Sequence, residues 1–239
     1  MVIRYFEKGF NYSEDGPGNR LVYHLSGCNL TCPWCSNPEG MTAAGGKECT
    51  LDEIFREILS ARSLFFDGGG VTFTGGECTL QSEALCALIP KLRQEGISVA
   101  IESNAATPFF PAVASLCDVV FADCKHVDPE RLREGTGADF SLYYHNITAV
   151  LVNNYLHFRI PLVHGFNDSD ASLSAFLAFF GKLDRERFDV ELLPYHEYGK
   201  EKWQKCGKTY TVTDGKVSTD AVRTFTEAFR AAGITVART

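Results

Sequence analysis

Three thiols, Cys28, Cys32 and Cys35, stand in the run Gly27-Cys28-Asn29-Leu30-Thr31-Cys32-Pro33-Trp34-Cys35. Thiolates this close together select a soft metal, either zinc or an iron–sulfur cluster. A structural zinc site takes four ligands, typically as two separated pairs, and no second pair follows in this chain. A four-iron cluster closed by protein would also need a fourth thiolate. Three cysteines therefore leave one metal corner open to a ligand from outside the chain. Two other readings compete: three small core residues, for which one polar loop is a poor setting, and an open three-cysteine zinc site.

Further polar groups recur where strands should end. They are Thr74-Gly75-Gly76-Glu77, Glu102-Ser103-Asn104, Asp123-Cys124-Lys125, Arg159 with His164–Asp168, and Pro194-Tyr195-His196. The strands expected before them are Val71–Thr74, Ser98–Ile101, Val119–Ala122, Leu156–Val163 and Asp189–Leu193. Leu21–Ser26 precedes the cysteine loop. Helical periods lie between them. Thr50 and Glu53 form a capping box that opens a helix with Leu51, Ile54, Phe55, Ile58 and Leu59 on one face. Leu80, Ala84, Leu85, Leu88 and Leu92 mark a second helix, which Pro90 should kink or end early. Pro108–Leu116, Leu142–Val152 and the Leu173–Phe180 period follow. A last helix carries Val222, Phe225 and Phe229 and stops at Gly233; Ile234–Val236 adds a terminal strand.

Six strands with helical crossovers imply a parallel sheet. A complete eight-unit barrel usually needs about 250 residues, so a partial (β/α)6 barrel is expected, with a flat doubly wound sheet as the alternative. Active sites of such folds lie at the carboxyl ends of the strands, where every polar group above falls. Asp123 and Lys125 share a strand face, so inside a barrel they must pair with each other or with a polar ligand, whereas Cys124 points the other way. Gly75-Gly76 is either a tight turn or a place where a ligand reaches backbone.

The chain has 239 residues, a length for one large domain or at most two small ones, and a net charge of −7. That charge makes the chain a poor candidate for a phosphate-backbone binder, so no nucleic acid is expected. No apolar stretch is long enough to span a membrane, and Arg4, Glu7 and Lys8 rule out an export signal at the start. Nine cysteines, an odd number, suit thiols in a reducing cytoplasm better than a disulfide framework. Cys49, Cys86, Cys117 and Cys206 lack any motif and read as structural.

The Cys28-x3-Cys32-x2-Cys35 loop with Gly75-Gly76-Glu77 resembles the radical S-adenosylmethionine (SAM) superfamily. Asp15-Gly16-Pro17-Gly18, the Gly68–Glu77 run, Asp123-x-Lys125 and the Leu192–Trp203 run resemble its glycyl-radical-enzyme activating family, nearest to the pyruvate formate-lyase activating type. This resemblance implies that Cys28, Cys32 and Cys35 hold one 4Fe-4S cluster and that SAM takes the fourth iron. It further implies reductive cleavage of SAM and abstraction of hydrogen from a glycine of a partner glycyl radical enzyme. Trp34 and Ser36 would flank the adenine, and Gly75, Gly76 and Glu77 would meet the methionine amino group. Asp123, Lys125 and His196 would contact the ribose, the carboxylate and nearby groups, with Cys35, Ser103 and Cys124 in the same lining. Glu102 and Asp123 would suit a monovalent cation. Asp15, Lys125 and His196 are the catalytic candidates, with Asp15 near the entering glycine loop.

Three positions depart from the family pattern. Cys78 stands where relatives have Pro or Ala, Glu102 where they have Asp, and Ser36 where the best-known member has His. Only Ser36–Cys49 is available after the loop, too little for the ferredoxin-like insertion of many activases. One domain over residues 1–239 and one cluster are therefore expected. A flavodoxin-like electron donor is implied. A radical SAM enzyme of small molecules is the second reading, and an electron carrier or zinc-stabilised interaction module the third.

Overall fold

The computed structural model describes residues 1–237. They fall into two compact units, one of Met1–Asn29 and Glu39–Phe121, the other of Leu30–Pro38 with the chain from Ala122 onward.

The first unit contains β1 (Val2–Tyr12), β2 (Asn19–Leu25), β3 (Lys47–Thr50), α1 (Leu51–Ser60), β4 (Gly70–Gly75), α2 (Ser82–Gln94), β5 (Ser98–Ser103) and α3 (Phe110–Ala114). Its strand order is β3-β1-β2-β4-β5. The β2–β4 and β4–β5 pairs are parallel, as the helical crossovers require. Strands β1 and β3 add antiparallel pairs that the helical crossovers do not announce.

The expected capping box opens α1. Thr50 accepts from the Glu53 amide while the Glu53 carboxylate accepts from the Thr50 amide. Leu51, Ile54 and Ile58 are buried beneath it. Thr50→Ala removes one half of that exchange and should lower stability by about 1 kcal/mol in urea unfolding; an unchanged midpoint would mean that the cap contributes nothing here. Helix α2 runs through Pro90 to Gln94 rather than ending early, with Leu88, Ile89 and Leu92 buried on either side of it. Burial of that apolar face outweighs the hydrogen bond that proline cannot donate.

Arg20 is fully buried at the start of β2. Its Nε donates to Thr72 Oγ1 at 2.7 Å and its Nη2 to the Val71 carbonyl at 2.7 Å. The Thr72 hydroxyl in turn donates to the Asp15 carbonyl at 2.7 Å. Burial lowers the Arg20 pKa to about 10, which still leaves it charged at neutral pH. This guanidinium ties the Asp15–Gly18 turn to the parallel strands.

Strand β6 (Val119–Asp123) ends in the second unit, followed by α4 (Pro129–Thr136), α5 (Phe140–Leu151), β7 (Leu156–Leu162), α6 (Asp170–Phe180), β8 (Phe188–Pro194), α7 (Lys200–Lys205) and α8 (Thr219–Ala231). β7 and β8 are parallel. Phe180 sits at the centre of this core, its ring 5.2 Å from Phe158, 5.4 Å from Phe188 and 5.8 Å from Phe229. Gly233, at φ +74°, follows the last helix as expected, but the terminal strand is reduced to one parallel bridge, Val190 to Val236. The fold is the mixed α/β, mostly parallel class expected from the sequence. Among the described residues no helix is long and apolar enough to cross a membrane.

Candidate functional site

In the first unit, β2 delivers the chain to Cys28, and the segment after β4 is knitted to that approach. The Gly76 amide donates to the Leu25 carbonyl at 2.9 Å and the Glu77 amide to the Gly27 carbonyl at 2.7 Å. A Cβ on Gly76 would lie 2.2 Å from the Gly27 oxygen and 2.4 Å from the Gly40 oxygen. On Gly75, which has φ +114°, it would lie 2.2 Å from the Leu25 nitrogen. Both glycines are thus demanded by protein backbone packed against the cysteine loop, which is the tight-turn reading of this pair.

Glu77 is fully buried. One carboxylate oxygen accepts from the Thr79 amide at 3.0 Å, the Thr79 hydroxyl at 2.5 Å and the Ser103 hydroxyl at 2.7 Å; the other accepts from the Asn104 amide at 2.7 Å. Burial pushes its pKa up against four donors that favour the anion. Glu77 therefore braces the loop after β5, and the Ser103 side chain is part of that brace. The brace places the Asn104 amide 4.0 Å from Cys28 Sγ, and the same amide donates to Asn29 Oδ1 at 2.8 Å.

Glu102 accepts from the Thr74 hydroxyl at 2.8 Å. Cys78 is buried, its thiol donates to the Glu102 carbonyl at 3.4 Å, and burial raises its pKa well above the ordinary thiol value. It is a structural thiol and a poor metal ligand. The Asp15 carboxylate accepts from Asn11 Nδ2.

In the second unit, Cys32 and Cys35 close a turn in which the Cys35 amide donates to the Cys32 carbonyl at 3.2 Å. The Asn37 amide donates to Cys35 Sγ at 3.4 Å. Lys125 Nζ lies 2.6 Å from Asp123 Oδ2, one of the two pairings that their shared strand face allowed. Burial works against the Lys125 ammonium, but Asp123 and the Cys32 and Cys35 sulfurs together outweigh it and raise its pKa. A fixed positive charge therefore stands close to two of the three thiols.

Cys124 faces the other way, as the alternation demands. It is fully buried, and burial pushes its pKa up to about 12, with the Tyr143 hydroxyl beside it. Its side chain belongs to the core. Trp34 packs on Phe166 at 4.6 Å, and Phe166 on His126 at 5.3 Å. His126 is buried, and nothing in its periodicity marked it as part of this stack. Arg159 pairs with Glu191 at 2.7 Å and His164 with Asp168 at 2.7 Å, so both groups are engaged by protein. The His196 ring stacks on Tyr198 at 4.2 Å, its Nδ1 accepts from the Tyr198 amide at 3.4 Å, and loss of water lowers its pKa. Ser36 lies beneath Gly199, where a Cβ would come within 2.7 Å of its Cα.

All nine cysteines are thiols. Among the described residues no three His, Cys, Asp or Glu side chains are gathered as they would be around a single metal ion. A cluster spreads its thiolates over separate irons, so its ligands need no such tight gathering. The donor set fits that chemistry: three soft thiols, with a backbone N–H on one sulfur and a side-chain amide beside another, the type of interaction that tunes iron–sulfur centres.

Residues 22–177 match the family model of the radical SAM superfamily. The chain is 30% identical to the 4-hydroxyphenylacetate decarboxylase activating enzyme of Clostridioides difficile, over 84% of each chain. It is 34% identical to the pyruvate formate-lyase-activating enzyme of Clostridium pasteurianum, over 84% of this chain and 85% of that one. Among solved structures, a domain of pyruvate-formate lyase-activating enzyme from Bacteroides vulgatus superposes with a TM-score of 0.59 at 24% identity, covering 71% of this chain and 98% of that one. A radical SAM methyltransferase from Sphaerobacter thermophilus superposes with a TM-score of 0.64 at 16% identity, over 99% and 76% of the two chains.

Proposed function

From the premise that this chain belongs to the radical SAM superfamily, among its glycyl-radical-enzyme activating enzymes, we propose that it installs a radical on a glycine of a partner enzyme, most simply pyruvate formate-lyase. Cys28, Cys32 and Cys35 would hold one 4Fe-4S cluster. When bound, the cluster and SAM supply one-electron reduction of the sulfonium and a carbon radical able to abstract hydrogen.

The chain's own residues bind and orient. Lys125, held by Asp123 beside Cys32 and Cys35, offers a cation to the carboxylate end of SAM. Trp34, backed by Phe166, offers an aromatic face for the adenine, next to the Ser36 backbone. Gly75 and Gly76 present backbone beside the cysteine loop, and Glu102, with Asp123, suits a monovalent cation. His196 is exposed enough to meet a ligand. Ser103 and Cys124 would line the site through their backbones, their side chains being engaged elsewhere. Asp15 is held with its turn by Arg20 and Thr72 for contact with the entering glycine segment. The whole chain would act as one domain, in the cytoplasm, with a flavodoxin-like one-electron donor.

The observation that carries this reading over a small-molecule one is similarity to activating enzymes across 84% of the chain. The test is electron paramagnetic resonance after anaerobic reduction with SAM and candidate partners. A glycyl radical signal that needs this chain, SAM and the partner is expected. Cleavage of SAM without that signal for pyruvate formate-lyase or for decarboxylase and dehydratase partners would overturn the activase reading.

A further inference from the structure

The short helix α7 and its N-cap touch three consecutive residues of the cysteine turn. The Trp203 indole N–H donates to the Cys35 carbonyl at 2.9 Å. Lys202 Nζ donates to Asn37 Oδ1 at 3.2 Å. Gly199 lies so close that a Cβ there would stand 2.6 Å from the Cys35 oxygen and 2.7 Å from Ser36 Cα.

Trp203 is itself fixed. It is buried, its ring meets Tyr210 edge-on at 5.7 Å, and the Tyr210 hydroxyl lies 2.6 Å from that of Tyr195, just after β8. Indole nitrogen only donates, and leaving a buried donor without an acceptor is unfavourable. The Cys35 carbonyl is the acceptor found here, so moving the turn would strand the indole N–H. The same turn aims the Asn37 amide at Cys35 Sγ, and hydrogen bonds to ligand sulfurs are among the features that set iron–sulfur potentials.

We propose that Trp203 and Gly199 are positioning residues for the third thiolate: they lock the Cys35–Asn37 turn and so set the retention and the reduction potential of the metal group held there. This rests on the reading of Cys35 as a cluster ligand. Neither Trp203 nor Gly199 is among the residues that would touch SAM.

The test uses the anaerobically reconstituted full chain carrying Trp203→Phe or Gly199→Ala. An iron chelator should strip the Trp203→Phe variant about 10-fold faster than the parent, the size of effect typical of outer-sphere changes. The reduction potential should shift in a titration followed by paramagnetic resonance. Gly199→Ala should move both readouts the same way, and it decides the matter if Trp203→Phe does not fold. Parent-like stripping and potential in the folded variants, with only the melting temperature lowered, overturn the proposal. Failure of the parent itself to hold iron would instead overturn the ligand reading, so the two failures are distinguishable.

Discussion

Cys32→Ala should leave a folded protein that retains no iron–sulfur cluster and cleaves no SAM. The parent should hold about four irons and four sulfides per chain. With only three thiolates available, removal of one leaves a second iron corner without a protein ligand, and the loss should exceed the roughly 100-fold ceiling of changes outside the ligand shell. Cys78→Ala and Cys124→Ala are the contrasting controls. Both thiols are fully buried and burial raises the pKa of each, the first donating to the Glu102 carbonyl and the second lying against Tyr143. A thiol so far from ionisation cannot easily take over as a thiolate ligand, so both controls should keep iron and cleavage. Iron and sulfide analysis, with detection of 5′-deoxyadenosine after reduction, reads all three. Full iron and cleavage in Cys32→Ala, or their loss in Cys78→Ala, would mean that the ligands have been misassigned.

The difference between these cysteines was only partly legible in the sequence. Spacing alone separates Cys28, Cys32 and Cys35 from the rest, and strand alternation predicts the opposed directions of Lys125 and Cys124. Cys78, in contrast, follows Gly75-Gly76-Glu77 directly, and only tertiary burial reveals it as structural. Six of the strands, β2, β4, β5, β6, β7 and β8, were readable from apolar runs between helical periods. Strand β1 was not, because only Ile3 and Tyr5 of its eleven residues are buried, which leaves no alternation to read. Helix α7 has a single buried residue, Trp203, over six positions, too short for a helical period. Its significance comes from a contact 168 positions away in the chain, which no local pattern can encode. Of the two outcomes expected at Pro90, a kink or an early end, the early end does not occur, because the buried face on which α2 packs carries the helix on to Gln94.

Glu77 offers the sharpest distinction between binding and bracing. If its carboxylate met the SAM amino group, Glu77→Gln would raise the KM for SAM and leave stability alone. The structure gives it four hydrogen bonds from Thr79, Ser103 and Asn104 and no exposure to solvent. Glu77→Ala would remove the acceptor of two backbone amides and two hydroxyls at once, and each stranded group costs about 1–3 kcal/mol. The expected loss is therefore on the order of 4 kcal/mol or more, a large part of the 5–15 kcal/mol typical of a domain, and a substantial fraction of the protein should be insoluble. Glu77→Gln keeps the volume and one acceptor oxygen but turns an NH2 towards donors, so an intermediate loss of about 2 kcal/mol is expected. Thermal and urea unfolding of the reconstituted protein measure both. Because the brace also places Asn104 beside Cys28, the glutamine variant should lose iron faster as its stability falls, with the KM for SAM unchanged in the fraction that keeps its cluster. A stable Glu77→Gln protein with normal iron and a raised KM would show that this carboxylate reaches the ligand after all.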